Sequence, residues 1–219
     1  MSSSQELNIH CIVSQPFAEN TYVVHLAGSQ QCLVIDPGFD PQAIIEYLNR
    51  NQLTPAMVLN THGHSDHIAG NEAIKQHWPA CPLVIGTGDA PKLTDPVLNL
   101  SAPFGLELLS PPADRTVDHG DIIDAAGIRL EVRDTPGHSC GHVVFVWLDG
   151  PTPIVFGGDV LFQGSVGRTD FPDGDTAQLM KSIQEQLFTL PDQTRVYPGH
   201  GDDTTVGDEK QFNPYCRLR

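Results

Sequence analysis

Four potential metal ligands fall within six positions in Thr61-His62-Gly63-His64-Ser65-Asp66-His67, directly after a short apolar stretch. In an extended segment, side chains alternate with period two, so His62 and His64 share one side. A bend at Gly63 lets Asp66 and His67 turn toward a neighbouring point. Imidazole and carboxylate together suit zinc, manganese or iron, and this many donors exceeds what one catalytic ion with an open position uses. Three more segments end an apolar run on a glycine-flanked donor: Thr135-Pro136-Gly137-His138, Phe156-Gly157-Gly158-Asp159 and Tyr197-Pro198-Gly199-His200. A single histidine of this kind is more often packed into a core than bound to metal. Seven donors from four strand ends are a costly set of polar groups to bury without cations to compensate them, and two ions are implied.

The elements that must carry these donors follow from hydrophobic periodicity. Residues 7–13, 20–26 and 32–36 read as short strands in a meander, and Asp40-Pro41 caps a helix that runs to about residue 51. A brief strand over 56–60 delivers the polar break at 61–67, after which 68–78 reads as one weakly amphipathic helix. Residues 82–121 are punctuated by Pro, Gly and Asp, which predicts one short strand and a long irregular excursion of the kind that often covers a site. Strands return at 128–133, 143–148 and 154–156. Asp175 then opens a helix carrying Leu179, Met180, Ile183 and Leu187, and a last strand at 195–197 leads to His200. No fixed-period repeat or composition shift divides the chain, so residues 1–219 are expected to form a single α+β domain of sheets packed together with helices outside.

Bulk properties exclude several classes. The net charge of −15 repels phosphate backbones, and Lys and Arg are not gathered into a stripe, which argues against a nucleic-acid partner. There is no apolar run long enough for a membrane helix. Met1-Ser-Ser-Ser-Gln-Glu has neither a positive cluster nor an apolar core, so a cytoplasmic location is expected. Cys11, Cys32, Cys81, Cys140 and Cys216 are odd in number and irregularly spaced, which fits reduced thiols.

The His-x-His-x-Asp-His run at His62, His64, Asp66 and His67, followed in order by His138, Asp159 and His200, resembles the signature of the metallo-β-lactamase superfamily. The resemblance extends over nearly the whole chain and includes Val34-Ile35-Asp36-Pro37-Gly38. It implies an αββα sandwich, with one divalent ion on His62, His64 and His138, a second on Asp66, His67 and His200, and Asp159 bridging both. Zinc is the first expectation for the pair, with iron or manganese as alternatives. Gly158-Asp159-Val160-Leu161-Phe162, Gly167-Arg168-Thr169-Asp170-Phe171 and Thr204-Thr205-Val206-Gly207-Asp208-Glu209 are similar to the glyoxalase II and persulfide dioxygenase branch. Within it, the match is to the short bacterial glyoxalase II-like form without the C-terminal helical domain.

That likeness implies hydrolysis of an S-lactoylglutathione-like thioester by a metal-bridging hydroxide. Asp66 and Asp159 would be the catalytic carboxylates, Arg168 a substrate-binding cation, and the partner a small-molecule, glutathione-derived thioester. The competing expectation is a mononuclear Fe(II) persulfide dioxygenase using His62, His138 and Asp159. A metal-binding module without turnover is a third reading. Outside the main set, Asp36 and Asn20 are candidates for supporting the histidine ligands. His142 is expected to pack or to orient a neighbour, and Cys140 to be a small buried thiol.

Overall fold

A computed structural model describes residues 6–217; residues 1–5, which include most of the stretch read for leader signals, and 218–219 lie outside it. Among the described residues the strands form two six-stranded sheets and a small hairpin. The first sheet contains β1 (Leu7–Ser14), β2 (Glu19–Leu26), β3 (Gln31–Ile35), β4 (Thr54–Asn60), β5 (Leu83–Gly86) and β6 (Arg115–Val117), in that order across the sheet. The expected antiparallel meander is β1–β2–β3, and β3 to β6 then run parallel. The second sheet contains β7 (Ile122–Ala125), β8 (Ile128–Asp134), β9 (Val143–Trp147) and β10 (Ile154–Gly158). The hairpin of β11 (Leu161–Phe162) and β12 (Ser165–Val166) follows, and β13 (Arg195–Pro198) and β14 (Thr204–Thr205) complete the second sheet beyond β10.

Alternation along the strands builds four layers. Tyr22, Val24, Leu33 and Ile35 from one sheet meet Leu130, Val132, Phe145 and Trp147 from the other, so the central core lies between the sheets. The intervening Val23, Cys32 and Val34 face outward onto Ile44 and Leu48 of α1 (Pro41–Arg50) and onto Ile68 and Ile74. On the opposite side Val144, Val146 and Val155 pack against Leu179, Ile183 and Leu187. Strands buried on both faces read as continuous apolar runs, which is how β9 appears in the sequence. The helix–sheet–sheet–helix order matches the expected αββα sandwich.

Several element boundaries differ from the expectations. The helix predicted over 68–78 is split into α2 (Ser65–Ile68) and α3 (Asn71–His77), and the first piece begins inside the polar break. The split lies at Gly70, whose amide donates to the Pro37 carbonyl at 2.7 Å. A Cβ there would lie 2.9 Å from the Pro37 ring, so the chain turns where the two loops touch. The excursion at 82–121 contains two strands, β5 and β6, where one was expected, together with 3₁₀ turns at Thr87–Thr94 and Ala102–Phe104. The helix opened by Asp175 is α4 (Thr176–Ser182), continuing as a π-helical stretch at Ile183–Leu187. Strand β7 and helix α5 (Val206–Phe212) were not foreseen. No helix among the described residues is long and apolar enough to cross a membrane.

Candidate metal centre

All seven predicted donors meet at one edge of the sandwich, where strand ends from both sheets converge. β4 leads directly into Thr61–His64, and α2 carries Asp66 and His67. β8 feeds the turn holding His138, β10 ends at Gly158 beside Asp159, and β13 ends at Pro198, two residues before His200. Close approach requires glycine at two of these ends. Gly158 has φ of +47°, in the left-handed region, and a Cβ on Gly199 would run into Asp159 Oδ1 and the His67 ring.

Donor atoms of His62, His64 and His138 lie within 4.8 Å of one another, as do those of Asp66, His67 and His200, and those of His62, His67 and Asp159. Asp159 stands between the first two groups. Its Oδ1 is 3.4 Å from His67 Nε2, and its Oδ2 is 3.5 Å from both His138 Nε2 and His200 Nε2.

The protein itself sets which ring nitrogens face inward. His67 Nδ1 donates to Asp36 Oδ2 at 3.1 Å, His138 Nδ1 to the Arg168 carbonyl at 2.8 Å, and His200 Nδ1 to the Phe17 carbonyl at 3.1 Å. His62 Nδ1 lies 3.1 Å from Thr61 Oγ1. In these four rings Nε2 is left for the centre, the arrangement by which an outer partner fixes the tautomer of a metal-ligating histidine; His64 instead turns Nδ1 inward, 2.9 Å from His138 Nε2. Facing the centre, the Nε2 atoms of His62 and His67 and Asp159 Oδ1 are buried without a hydrogen-bond partner. So many orphaned polar atoms in one place are costly unless a cation satisfies them, so the donor set fits divalent metal.

Electrostatics agree. Burial, reinforced by His67 and His64, pushes the His62 pKa well below its ordinary value, leaving a neutral imidazole with a free lone pair. Burial alone would raise the Asp159 pKa, but His67, His200 and His138 outweigh it and hold the carboxyl well below the usual range. For His67, burial opposes the charged form, yet Asp159, Asp66 and Asp36 raise its pKa well above the ordinary value. A proton retained on a fully buried ring marks a place where the surroundings demand positive charge.

Asp36 supports the centre as expected. Its Oδ1 accepts the Thr61 amide and its Oδ2 accepts Thr61 Oγ1, both at 2.7 Å, besides the His67 ring. Asn20 acts differently from the expectation of a partner to a ligand ring. Its Nδ2 donates to the carbonyls of Pro198 and Gly201, bracing the backbone on either side of His200. His142 Nε2 accepts the Asp159 amide at 3.1 Å, so it orients a neighbour. Cys140 is exposed, correcting the expectation of burial, because its turn lies at the surface against Gly88.

Above the centre opens a cavity of about 350 Å³. Its walls include Phe17, Phe104, Phe162 and Phe171, delivered by four separate segments, and Leu100 and Phe104 come from the 82–121 excursion. Arg168 is on the rim. Its guanidinium lies 4.3 Å from the centroid of the Phe171 ring and makes two 2.7 Å hydrogen bonds to Asp170. Phe162 and Phe171 end the Gly-Asp-Val-Leu-Phe and Gly-Arg-Thr-Asp-Phe segments, whereas Phe17 and Phe104 carried no local sequence signal.

The profile of the Metallo-beta-lactamase superfamily matches residues 14–200, from the end of β1 through the last histidine. The chain belongs to this superfamily. A probable metallo-hydrolase of Bacillus subtilis is 37% identical over 91% of this chain and 93% of its own length. The hydroxyacylglutathione hydrolase GloC of Haemophilus influenzae is 33% identical over 97% of this chain and all of its own. Among solved structures, the BLEG-1 B3 metallo-β-lactamase superposes with a TM-score of 0.90 at 36% identity, covering 95% of this chain and 99% of that one. The fold is therefore that of the metallo-β-lactamases, and clusters of His and Asp suited to divalent metal stand at one edge of it.

Proposed function

We propose that this protein is a metal-dependent thioester hydrolase acting on S-lactoylglutathione-like substrates. The carrying observation is Asp159, whose carboxylate lies between two three-donor groups at the floor of an open cavity. His62, His64 and His138 would hold one divalent ion, Asp66, His67 and His200 a second, and Asp159 would contact both; zinc is the first candidate. Paired divalent ions polarise a carbonyl and make water a nucleophile near neutral pH.

The chain's own residues then have defined tasks. Asp66 and Asp159 hold and orient the attacking water through their carboxylate oxygens. The phenylalanine walls exclude bulk water and seat the apolar part of the acyl group. Arg168, exposed at the rim and stacked over Phe171, meets a carboxylate on the thiol arm of the substrate. No strong general acid is needed, because a thiol near pKa 8.5 leaves readily as the thiolate. The likeness to GloC supports the glutathione thioester as the first substrate to test.

The test is thiol release from S-lactoylglutathione, followed with a thiol reagent while dissolved oxygen is monitored. The expected result is chelator-sensitive thiol release without oxygen uptake. Full activity of a metal-stripped sample would overturn the proposal. So would oxygen consumption with glutathione persulfide and no thioester cleavage, the outcome expected of a single iron on His62, His138 and Asp159.

A further inference from the structure

Asp89 was not singled out by any sequence motif, yet it is fully buried and reaches both loops that supply one of the donor groups. Its Oδ2 accepts the Gly63 amide, between His62 and His64, at 2.8 Å, and also Ser139 Oγ, one residue beyond His138, at 2.7 Å. Its Oδ1 accepts the Gly141 amide at 2.8 Å, two residues further along the same loop. One carboxylate thus ties the two ligand loops together.

The tie is itself anchored. Lys92 is buried, and its ammonium lies 3.2 Å from Asp89 Oδ1 and 2.6 Å from Asp173 Oδ2. Asp173 in turn accepts the Cys140 amide at 3.1 Å and stands two residues beyond Phe171, whose ring packs edge-on to His64 and His138. Asp89, Asp173 and Cys140 together resemble a cation site, but the lysine ammonium already lies between the two carboxylates and satisfies them. The second donor group is built differently: His67 hangs on Asp36 and His200 on the Phe17 carbonyl, with no hydrogen bond to this network.

We infer that Asp89, held by Lys92, is a positioning residue that sets the spacing of His62 and His64 against His138, and so tunes metal affinity at that group without touching the ion. The inference rests on the proposal that these three histidines share one ion. Outer partners of metal ligands are generally worth about 10- to 100-fold in metal affinity. The same range is expected here, confined to one of two binding steps.

The experiment is a zinc titration of metal-free protein against a chromophoric chelator, resolving two stepwise affinities. His138→Ala and His200→Ala identify which step belongs to which group. Asp89→Asn is expected to weaken the step lost in His138→Ala by about 10- to 100-fold and to leave the step lost in His200→Ala within about twofold. Two unchanged affinities, or two equally weakened ones, would overturn the inference. If Asp89→Asn does not fold, Ser139→Ala decides: it keeps the buried charge and removes one hydrogen bond, and is expected to weaken the same step several-fold, whereas no change overturns the idea. A wild-type chain that takes up no zinc would instead overturn the metal reading beneath it.

Discussion

At the scale of single residues, Asp159 and Asp36 make separable contributions. Asp159 faces both donor groups, so Asp159→Ala removes a contact from each. We expect kcat/KM for thioester hydrolysis to fall by about 10³-fold or more, in line with the several kcal/mol that metal polarisation supplies. Metal content after dialysis should drop in the same variant, and a variant with unaltered rate and metal content would refute the assignment. Asp36 touches no substrate, but its carboxylate holds the His67 ring and the Thr61 amide and hydroxyl. Asp36→Asn should cost about 10- to 100-fold in metal affinity or kcat/KM, read from paired titrations and rate measurements.

At the scale of elements, glycine contacts between strand ends set how tightly the donors converge. Gly199 donates its amide to the Gly158 carbonyl at 2.8 Å, joining the ends of β10 and β13. Gly199→Ala places a methyl against Asp159 and His67, so activity should fall far more than stability. The loss of Tm should correspond to about 1–3 kcal/mol of overpacking, checked by calorimetry beside the rate assay. This scale also marks where the sequence was legible. The seven donors stood out because they are dense in one run and end three other apolar runs beside glycine. The layers were legible because two strand-rich stretches each bring helices, and strands covered on both faces, such as Val143 to Trp147, read as unbroken apolar runs. What was hidden depends on partners distant in sequence. Phe17, Phe104, Phe162 and Phe171 become a wall only when four segments meet. Asp89 looks like any loop acid until Gly63 and Ser139 close on it, and the break at Gly70 is decided by Pro37. Strands as short as β6 and β7 have too few residues to display a period.

At the scale of the whole molecule, charge ties stability to solution conditions. Burial acts to raise the Asp173 pKa, but Lys92 and the Cys140 amide outweigh it and hold the carboxyl down at about 2. A depressed pKa in the folded state adds stability that is complete above the unfolded carboxyl value, near pH 4, and is lost as pH falls toward 2. The Tm gap between wild type and Asp173→Asn should therefore be widest at neutral pH and close on acidification; a constant gap from pH 7 to pH 2.5 would contradict this. The chain carries a formal charge of −15, and the centre adds ionised carboxylates to buried imidazoles. Ions that bind only the folded state stabilise it by mass action, about 2.7 kcal/mol for a site at 100 times its Kd. Chelation should lower Tm by several degrees, and returning zinc should restore it.

The placement of the donors on strand ends has a consequence for how the protein comes apart. Residues 62–67 hang from the first sheet, whereas His138, Asp159 and His200 hang from the second, so any ion held by both sets fastens the two halves of the sandwich across their seam. The halves are otherwise joined along that edge by few backbone bonds, among them Asn20 to Gly199 and Val143 to Thr61. Unfolding of the loaded protein should then be a single cooperative event. In the stripped protein, amide exchange at the ends of β4, β10 and β13 should quicken together, ahead of the core strands, with the seam parting like a hinge whose pin has been withdrawn.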